Sequence, residues 1–209
     1  MTISFGQETS VTASIGSSFT GAGAALANLR AEIPAADFEK LRKETEDVWN
    51  KTLGKIKVKG GTEEDLVKFY TALYHCYQLP RIASDVDGSY TGFAEDDKIH
   101  KAEGFDYYDD FSMWDTYRAL HPLMTILEPE RTSGMVKSLI LKAEQGGWMP
   151  IFPAWSSYTA AMIGDHASTT IADAWVKGIR DFDIRKAYQY MRKNAFEIPP
   201  RREYVDGKG

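Results

Sequence analysis

The chain has 209 residues, of which 43% are hydrophobic and 26% charged, and its net charge is −5 at pH 7. This composition is typical of a globular domain, no apolar run of about 18 residues predicts a membrane-spanning helix, and residues 1–20 lack the basic and apolar regions of a signal peptide. The absence of a basic stripe argues against nucleic acid as a partner, and the single cysteine, Cys76, excludes an intrachain disulfide.

The N-terminal segment is rich in Ser, Thr, Gly and Ala over about its first 25 residues. Residues 3–5 and 11–15 are partly strand-like, and residues 16–25 have the composition of a flexible connector. We therefore expect a short strand-like or disordered segment before the helical part of the chain.

Two helices are predicted next. Residues 35–53 place apolar side chains on one face and Lys, Arg and Glu on the other. The second helix begins at Thr62, which forms a capping-box pattern with Asp65, and it ends before Pro80. Its apolar stripe is interpreted as core and consists of Leu66, Phe69, Tyr70, Leu73, Tyr74 and Tyr77.

The acidic segment DVDGSYTG has two interpretations. Asp85 and Asp87 resemble the start of an EF-hand calcium loop. However, Ser89 replaces the next acidic ligand, and position twelve is Asp96 where that loop requires Glu. A turn or short hairpin around Gly88 is therefore the favoured interpretation.

Four further helices are predicted. The first begins near residue 112 and is expected to kink or restart at Pro122. The second opens at Pro129 and stops at Gly146 and Gly147. The last two cover about residues 165–178 and 183–196.

The resulting fold class is all-α. About six amphipathic helices, joined by alternating long and short loops, are typical of a partial α/α barrel. Because an incomplete barrel leaves its last helices without a neighbour, we expect an apolar face there and possible self-association through it. The residues of this face are Trp175, Ile179, Tyr188 and Met191.

The segment from Phe105 to His166 combines acids and aromatics. Aromatic rings can cover the C–H faces of a sugar, while carboxylates accept hydrogen bonds from its hydroxyls. The alternative is an aromatic-rich helix junction whose aspartates cap helices. The acids are Asp106, Asp109, Asp110, Asp115 and Asp165, and the aromatics are Tyr107, Tyr108, Phe111, Trp114, Tyr117, Trp148, Phe152, Trp155 and Tyr158.

Three blocks of sequence carry a family resemblance. DDFSMWDTYRALHPL, EQGGWMPIFP and SYTAAMIGDHASTTIADAWVKGI resemble the signature blocks of glycoside hydrolase family 92, the calcium-dependent exo-acting α-mannosidases. The preceding stretch is similar to that family in order and spacing, so the resemblance runs from about residue 4 to the end. Members of this family combine an N-terminal β-sandwich with an α/α barrel and are several times longer.

The resemblance implies a domain organisation and a reaction. Residues 1–30 would be the tail of the sandwich domain with its linker, and residues 31–209 the linker helices and the first part of the catalytic barrel. The implied reaction is hydrolysis of terminal α-mannosides, with α-1,2 linkages expected, by inversion. The implied partner is a mannose-containing glycan, and the parent enzyme is expected to be exported.

The resemblance assigns no catalytic residue and no metal ligand to this chain. The family's proton donor, general base and main calcium ligands belong to later blocks that have no counterpart here, so calcium is expected in the complete enzyme and this chain alone should be inactive. Asp110 and Asp115 could mimic a carboxylate pair, but five residues apart at a helix start they need not share a face.

A part of the sugar-binding pocket is the expected contribution of this chain. Asp115 has Arg118 as an alternative ion-pair partner, Asp110 could instead cap a helix, and Asp165 could cap the next helix while His166 packs. The candidate substrate-binding residues are Asp110, Asp115, Trp148, Trp155, Asp165 and His166.

Two other functions fit the same residues. One is a stand-alone helical carbohydrate-binding or interaction module without catalysis. The other is an α/α-barrel lyase or glycosidase of a different family, which would need an acid and a base within this chain.

Overall fold

The computed structural model describes residues 5–6, 10–159 and 161–199. Within these ranges the chain forms eight helices and three two-stranded antiparallel sheets, which pair β1 with β4, β2 with β3 and β5 with β6. The helices are α1 (Ala22–Glu32), α2 (Phe38–Leu53), α3 (Glu63–His75), α4 (Met113–Thr116), α5 (Leu120–Leu127), α6 (Pro129–Gly146), α7 (His166–Val176) and α8 (Ile184–Phe196). The strands are β1 (Arg81–Ile82), β2 (Ser89–Thr91), β3 (Ile99–Lys101), β4 (Tyr108–Asp109), β5 (Pro153–Ala154) and β6 (Ser157–Tyr158).

The N-terminal segment differs from its prediction. Residues 11–15 form no strand, and most of residues 3–5 lies outside the described ranges. Instead, α1 begins inside the expected connector, because the alanine-rich stretch AGAALANLRAE favours a helix. Asn28 on this helix donates to the Asp85 carboxylate at 2.7 Å, which attaches α1 to the loop before β2.

The helices α2 and α3 pack on each other, with the rings of Trp49 and Tyr74 4.6 Å apart. The predicted capping box is confirmed, since Thr62 accepts from the backbone of Asp65 and the Asp65 carboxylate accepts from the backbone of Thr62. The predicted core stripe is only partly correct. Leu73 is buried but Tyr74 is exposed, because two paired helices bury only the seam between them.

The predicted helix after residue 112 is split in two. The break comes at residues 117–119, between α4 and α5, before the expected kink at Pro122. Pro122 lies in the first turn of α5, where the missing N–H is one that has no partner within the helix. This split and the unexpected α1 explain why the described residues form eight helices where about six were expected.

The core forms around α6. The helix starts with Pro129 at its first position and ends at Gly146, and the left-handed φ of +85° at the following Gly147 closes it as predicted. Its buried face carries the predicted residues Met135, Leu139 and Ala143. The other buried members of this cluster come from α6 itself, from α7 and α8, from the segment between β4 and α4, and from the loop after α6. They are Tyr108, Phe111, Met113, Val136, Ile140, Met149, Ala167, Ile171, Ala174 and Ala187.

Candidate functional site

The candidate site begins with the turn between β5 and β6. Its two central residues, Trp155 and Ser156, have φ of +53° and +58°, as in a type I′ hairpin turn. Residues with a side chain rarely adopt this conformation unless their surroundings impose it. The Asp109 carboxylate accepts from the Ser156 N–H at 2.8 Å, and the Asp110 carboxylate accepts from the Trp155 N–H at 3.3 Å. Two consecutive aspartates therefore hold both amides of the turn.

A small pocket of about 220 Å³ lies beside this turn. Trp155 has 79% of its surface exposed and Phe19 has 59%, so two aromatic rings are available to a ligand there. The volume lies below the range of about 300–1,000 Å³ usual for drug-sized ligands, which suits one small ring. The pocket is lined by Phe19, Arg81, Ala83, Thr91, Asp109, Trp155 and Ser156.

Opposite charges meet at the pocket. Arg81 pairs in register with Asp109 across β1 and β4, and its guanidinium Nε donates to the neighbouring Asp110 carboxylate. This ion pair is partly exposed, and the Arg81 guanidinium also lies 4.8 Å from the centre of the Phe19 ring. The pocket therefore presents a cation, a carboxylate and two aromatic faces.

A buried lysine stands behind the pocket. Lys142 on α6 is completely buried, its Nζ lies 3.1 Å from Asp109 Oδ1, and it donates to the Tyr107 hydroxyl. Burial lowers the pKa of Lys142 to about 8, an effect that the Asp109 carboxylate opposes. Burial also raises the pKa of Tyr107, whose ring stacks on Tyr90 at 3.8 Å.

Sequence reasoning missed Arg81 and Lys142. The sequence contained a signal for Lys142, since this lysine interrupts the apolar stretch that forms the buried face of α6, directly before Ala143. Arg81 had no comparable signal, because its role depends on the pairing of two-residue strands.

Of the six predicted site residues, the structure brings together Asp110 and Trp155. Asp110 does not cap a helix; it has a left-handed φ of +63° and bonds to Arg81 and to the Trp155 backbone. Asp115 is exposed and accepts from the Ser112 hydroxyl at 2.9 Å. The alternative of an Asp115–Arg118 ion pair is not observed, since the guanidinium lies over aromatic rings of its own segment.

The other three predicted residues lie outside the lining of this pocket. Trp148 is buried with the Lys193 ammonium 4.3 Å from its ring, so the indole has a packing role that its sequence position did not reveal. Asp165 precedes α7 without a side-chain capping bond. The His166 ring stacks on Tyr117 at 4.3 Å, and its buried Nε2 has no hydrogen-bond partner among the described residues. The proposed sugar contacts of these residues and of Asp115 remain predictions.

The acidic loop before β2 forms the predicted turn, with the Gly88 N–H donating to the Asp85 carbonyl at 2.8 Å. The Asp85 carboxylate accepts from the side chains of Ser18, Thr20 and Asn28, which fastens the segment carrying Phe19. Within the described ranges, no group of three or more His, Cys, Asp or Glu side chains is arranged to hold a metal ion. No helix in these ranges is long and apolar enough to cross a membrane.

Comparison with known proteins places the chain among the glycoside hydrolases. Residues 24–209 match the family described as the glycosyl hydrolase family 92 catalytic domain, and the chain belongs to that family. This confirms the resemblance inferred from the three sequence blocks.

Solved structures of the same family have a similar fold. The family GH92 α-mannosidase BT3965 from Bacteroides thetaiotaomicron is 34% identical with a TM-score of 0.81, over 88% of this chain and 24% of that one. The family GH92 inverting mannosidase BT2199 from Bacteroides thetaiotaomicron is 30% identical with a TM-score of 0.82, over 90% of this chain and 26% of that one.

A curated relative from another organism is also similar to the chain. An uncharacterised secreted glycosidase of Arthroderma benhamiae is 30% identical over 207 residues, which are 96% of this chain and 22% of the relative. The chain thus spans about a quarter of the length of the proteins it matches.

Proposed function

We propose that this chain supplies part of the mannose-binding pocket of an enzyme that hydrolyses terminal α-mannosides. The observation that carries the proposal is the pocket that Arg81 and the exposed ring of Trp155 line. Asp110 lies outside this lining and accepts from the Arg81 guanidinium and from the Trp155 N–H. Family membership supports it, and the related BT3965 α-mannosidase has been solved in complex with mannoimidazole.

Each group at the pocket has a distinct task in binding a sugar. The Trp155 indole covers one C–H face of the ring, and the Phe19 ring adds a second apolar wall. The Arg81 guanidinium has terminal nitrogens that donate to sugar hydroxyls, and the Asp110 carboxylate orients it by accepting from its Nε. Charged partners make such hydrogen bonds stronger than neutral ones.

We propose that the enzyme cleaves terminal α-1,2-linked mannose with inversion of configuration at the anomeric carbon. The catalytic acid and base would then come from outside the described residues. Inverting glycosidases need two carboxyl groups about 6.5–9.5 Å apart, one of them with room to activate water. Asp109 and Asp110 are adjacent in sequence and are each engaged with a turn amide and a cation. The two aspartates therefore suit ligand binding better than catalysis. In the complete enzyme, we propose that the described helices form part of an α/α barrel.

Calcium belongs to the proposal through the family resemblance alone. The carboxylates of the acidic loop are occupied, Asp85 by three side chains and Asp87 by Ser89, and the described residues contain no cluster that fits the ion. We therefore place its ligands mostly outside this chain and derive no step through it. Export of the parent enzyme is likewise proposed, in line with the secreted relative.

Isothermal titration of the chain with methyl α-mannoside tests the binding function. Trp155→Ala and Asp110→Asn should each weaken binding about 10-fold or more, because the first removes an aromatic wall of the pocket and the second weakens the carboxylate that holds Arg81 and the Trp155 amide. Trp114→Ala is the matched control, since this indole is exposed but does not line the pocket. Equal affinities for all four proteins, or no binding by the unaltered chain, would contradict the proposal.

An activity assay tests the assignment of catalysis to residues outside those described. The chain alone should not hydrolyse aryl α-mannosides above background, with or without calcium. Turnover that is abolished by Asp110→Asn or Asp115→Asn would move the catalytic pair into this chain. Binding without turnover also fits the stand-alone binding module, which differs in needing no catalytic segment elsewhere.

A further inference from the structure

Lys142 is buried where a charge is costly. Its ammonium is completely buried, with Asp109 as its ion-pair partner at 3.1 Å and the Tyr107 ring centre at 3.9 Å. Replacing a buried ion pair by apolar residues is often neutral or stabilising, so stability alone does not account for this lysine. Its connection to the pocket offers another account.

The connection runs through Asp109 to the pocket turn. One oxygen of Asp109 faces Lys142, and the other accepts from the Ser156 N–H at 2.8 Å. Ser156 is further fixed by a hydroxyl contact with Thr91 at 3.0 Å and by its carbonyl, which accepts from the Ala94 N–H at 2.8 Å. These contacts hold the left-handed conformation of the turn, which places Trp155 at the pocket.

We propose that Lys142 is a positioning residue of the sugar pocket, which acts through Asp109 to hold the turn of Trp155 and Ser156 in its ligand-binding conformation. The inference rests on the proposed sugar-binding function of this pocket. Lys142 does not touch the ligand itself, because it is completely buried and does not line the pocket.

Two measurements on the full chain test the proposal. The first is the affinity for methyl α-mannoside, and the second is the hydrogen-exchange protection of the Ser156 amide without sugar. Lys142→Met should reduce both about 10-fold or more, since small displacements at a site have large effects. Lys137→Met is the matched control, because Lys137 lies on the same helix and pairs with the exposed Asp181, and it should change neither.

A comparison of Asp109→Asn with the double variant Asp109→Asn/Lys142→Met keeps the test decisive if Lys142→Met does not fold. If Lys142 acts through Asp109, adding Lys142→Met to Asp109→Asn should change affinity and Ser156 protection less than about 3-fold. A further loss of about 10-fold or more would show independent action and overturn the proposal. So would a folded Lys142→Met variant with unaltered Ser156 protection.

The failure of the proposed function is separable from the failure of this inference. If the unaltered chain does not bind the mannoside, the sugar-binding function fails. The Ser156 protection still reports whether Lys142 holds the turn through Asp109, because it is measured without sugar.

Discussion

Two faces of the helical body depart from the usual distribution of side chains in opposite ways. On the pocket side of α6, Lys142 and Asp109 are charged and buried. On the outer face of α7 and α8, Val176 and Tyr188 are apolar and exposed, at 75% and 63%, beside a groove of about 410 Å³. Charged residues are almost never fully buried unless paired, and monomers rarely expose large apolar patches.

This difference distinguishes a face that binds a ligand from a face that packs against other protein surface. On the pocket side, the buried charges are paired, and the pairs fix a turn that no local sequence preference would produce. On the outer face, Val176 and Tyr188 are ordinary helix-packing side chains that the described part of the chain leaves largely exposed. The first face therefore indicates a ligand site and the second a packing surface.

The largest expected effect concerns the buried ion pair. Lys142→Met should lower the free energy of unfolding by about 3–5 kcal/mol, because it leaves the Asp109 carboxylate buried without its cation. Lys137→Met should cost less than about 1 kcal/mol, since its partner Asp181 is exposed. Urea unfolding of both variants provides the measurement, and equal losses would erase the distinction between the buried and exposed pairs.

The buried histidine of α5 should make the chain sensitive to acid. Burial lowers the pKa of His121 from 6.5 to about 4, so the unfolded chain binds a proton between these values that the folded chain does not. Stability should therefore fall by about 3 kcal/mol as the pH drops from 6.5 to 4. His121→Leu should reduce this slope, as measured by unfolding at several pH values.

A matched histidine controls for general acid effects. His75 is exposed at the end of α3, so His75→Gln should leave the slope unchanged. If His121→Leu and the unaltered chain lose stability in parallel over this range, the buried imidazole is not the cause.

The apolar face of α7 and α8 should cause weak self-association. This is the face that the sequence predicts to lack a neighbouring helix in an incomplete barrel. Val176→Asp should weaken the self-association about 10-fold or more, since each 100 Å² of apolar surface left uncovered forgoes about 2.5 kcal/mol. Ile126→Asp is the control, because Ile126 is 73% exposed but does not line the groove. Analytical ultracentrifugation decides the matter; a dilute monomer with a sharp cooperative melt would contradict the expectation.

Local signals in the sequence predicted much of the fold. The cap at Thr62 and the proline start and glycine stop of α6 each depend on residues within one turn of the helix end, and both predictions are confirmed. The break before α5 was placed wrongly, because Pro122 fits the first turn of a helix as well as it breaks one.

The site was harder to predict because its geometry is long-range. Asp110 and Trp155 were chosen from composition and resemblance, yet their contact joins residues 45 positions apart. The left-handed backbone conformation of Trp155 and Ser156 is held by hydrogen bonds to Asp110 and Asp109. Trp and Ser have no local turn preference from which this conformation could be predicted. The sequence shows Lys142 as a charge within an apolar stripe, but it does not show that Asp109 is the ion-pair partner of Lys142.

The most direct test of the mannose pocket is chemical-shift mapping by NMR with methyl α-mannoside. The proposal predicts that the indole signal of Trp155 and the amide of Ser156 shift on titration, whereas the indoles of the buried Trp148 and of Trp175 in the α7–α8 groove do not. Saturable shifts confined to Trp148 or Trp175, or none at any tryptophan, would contradict it.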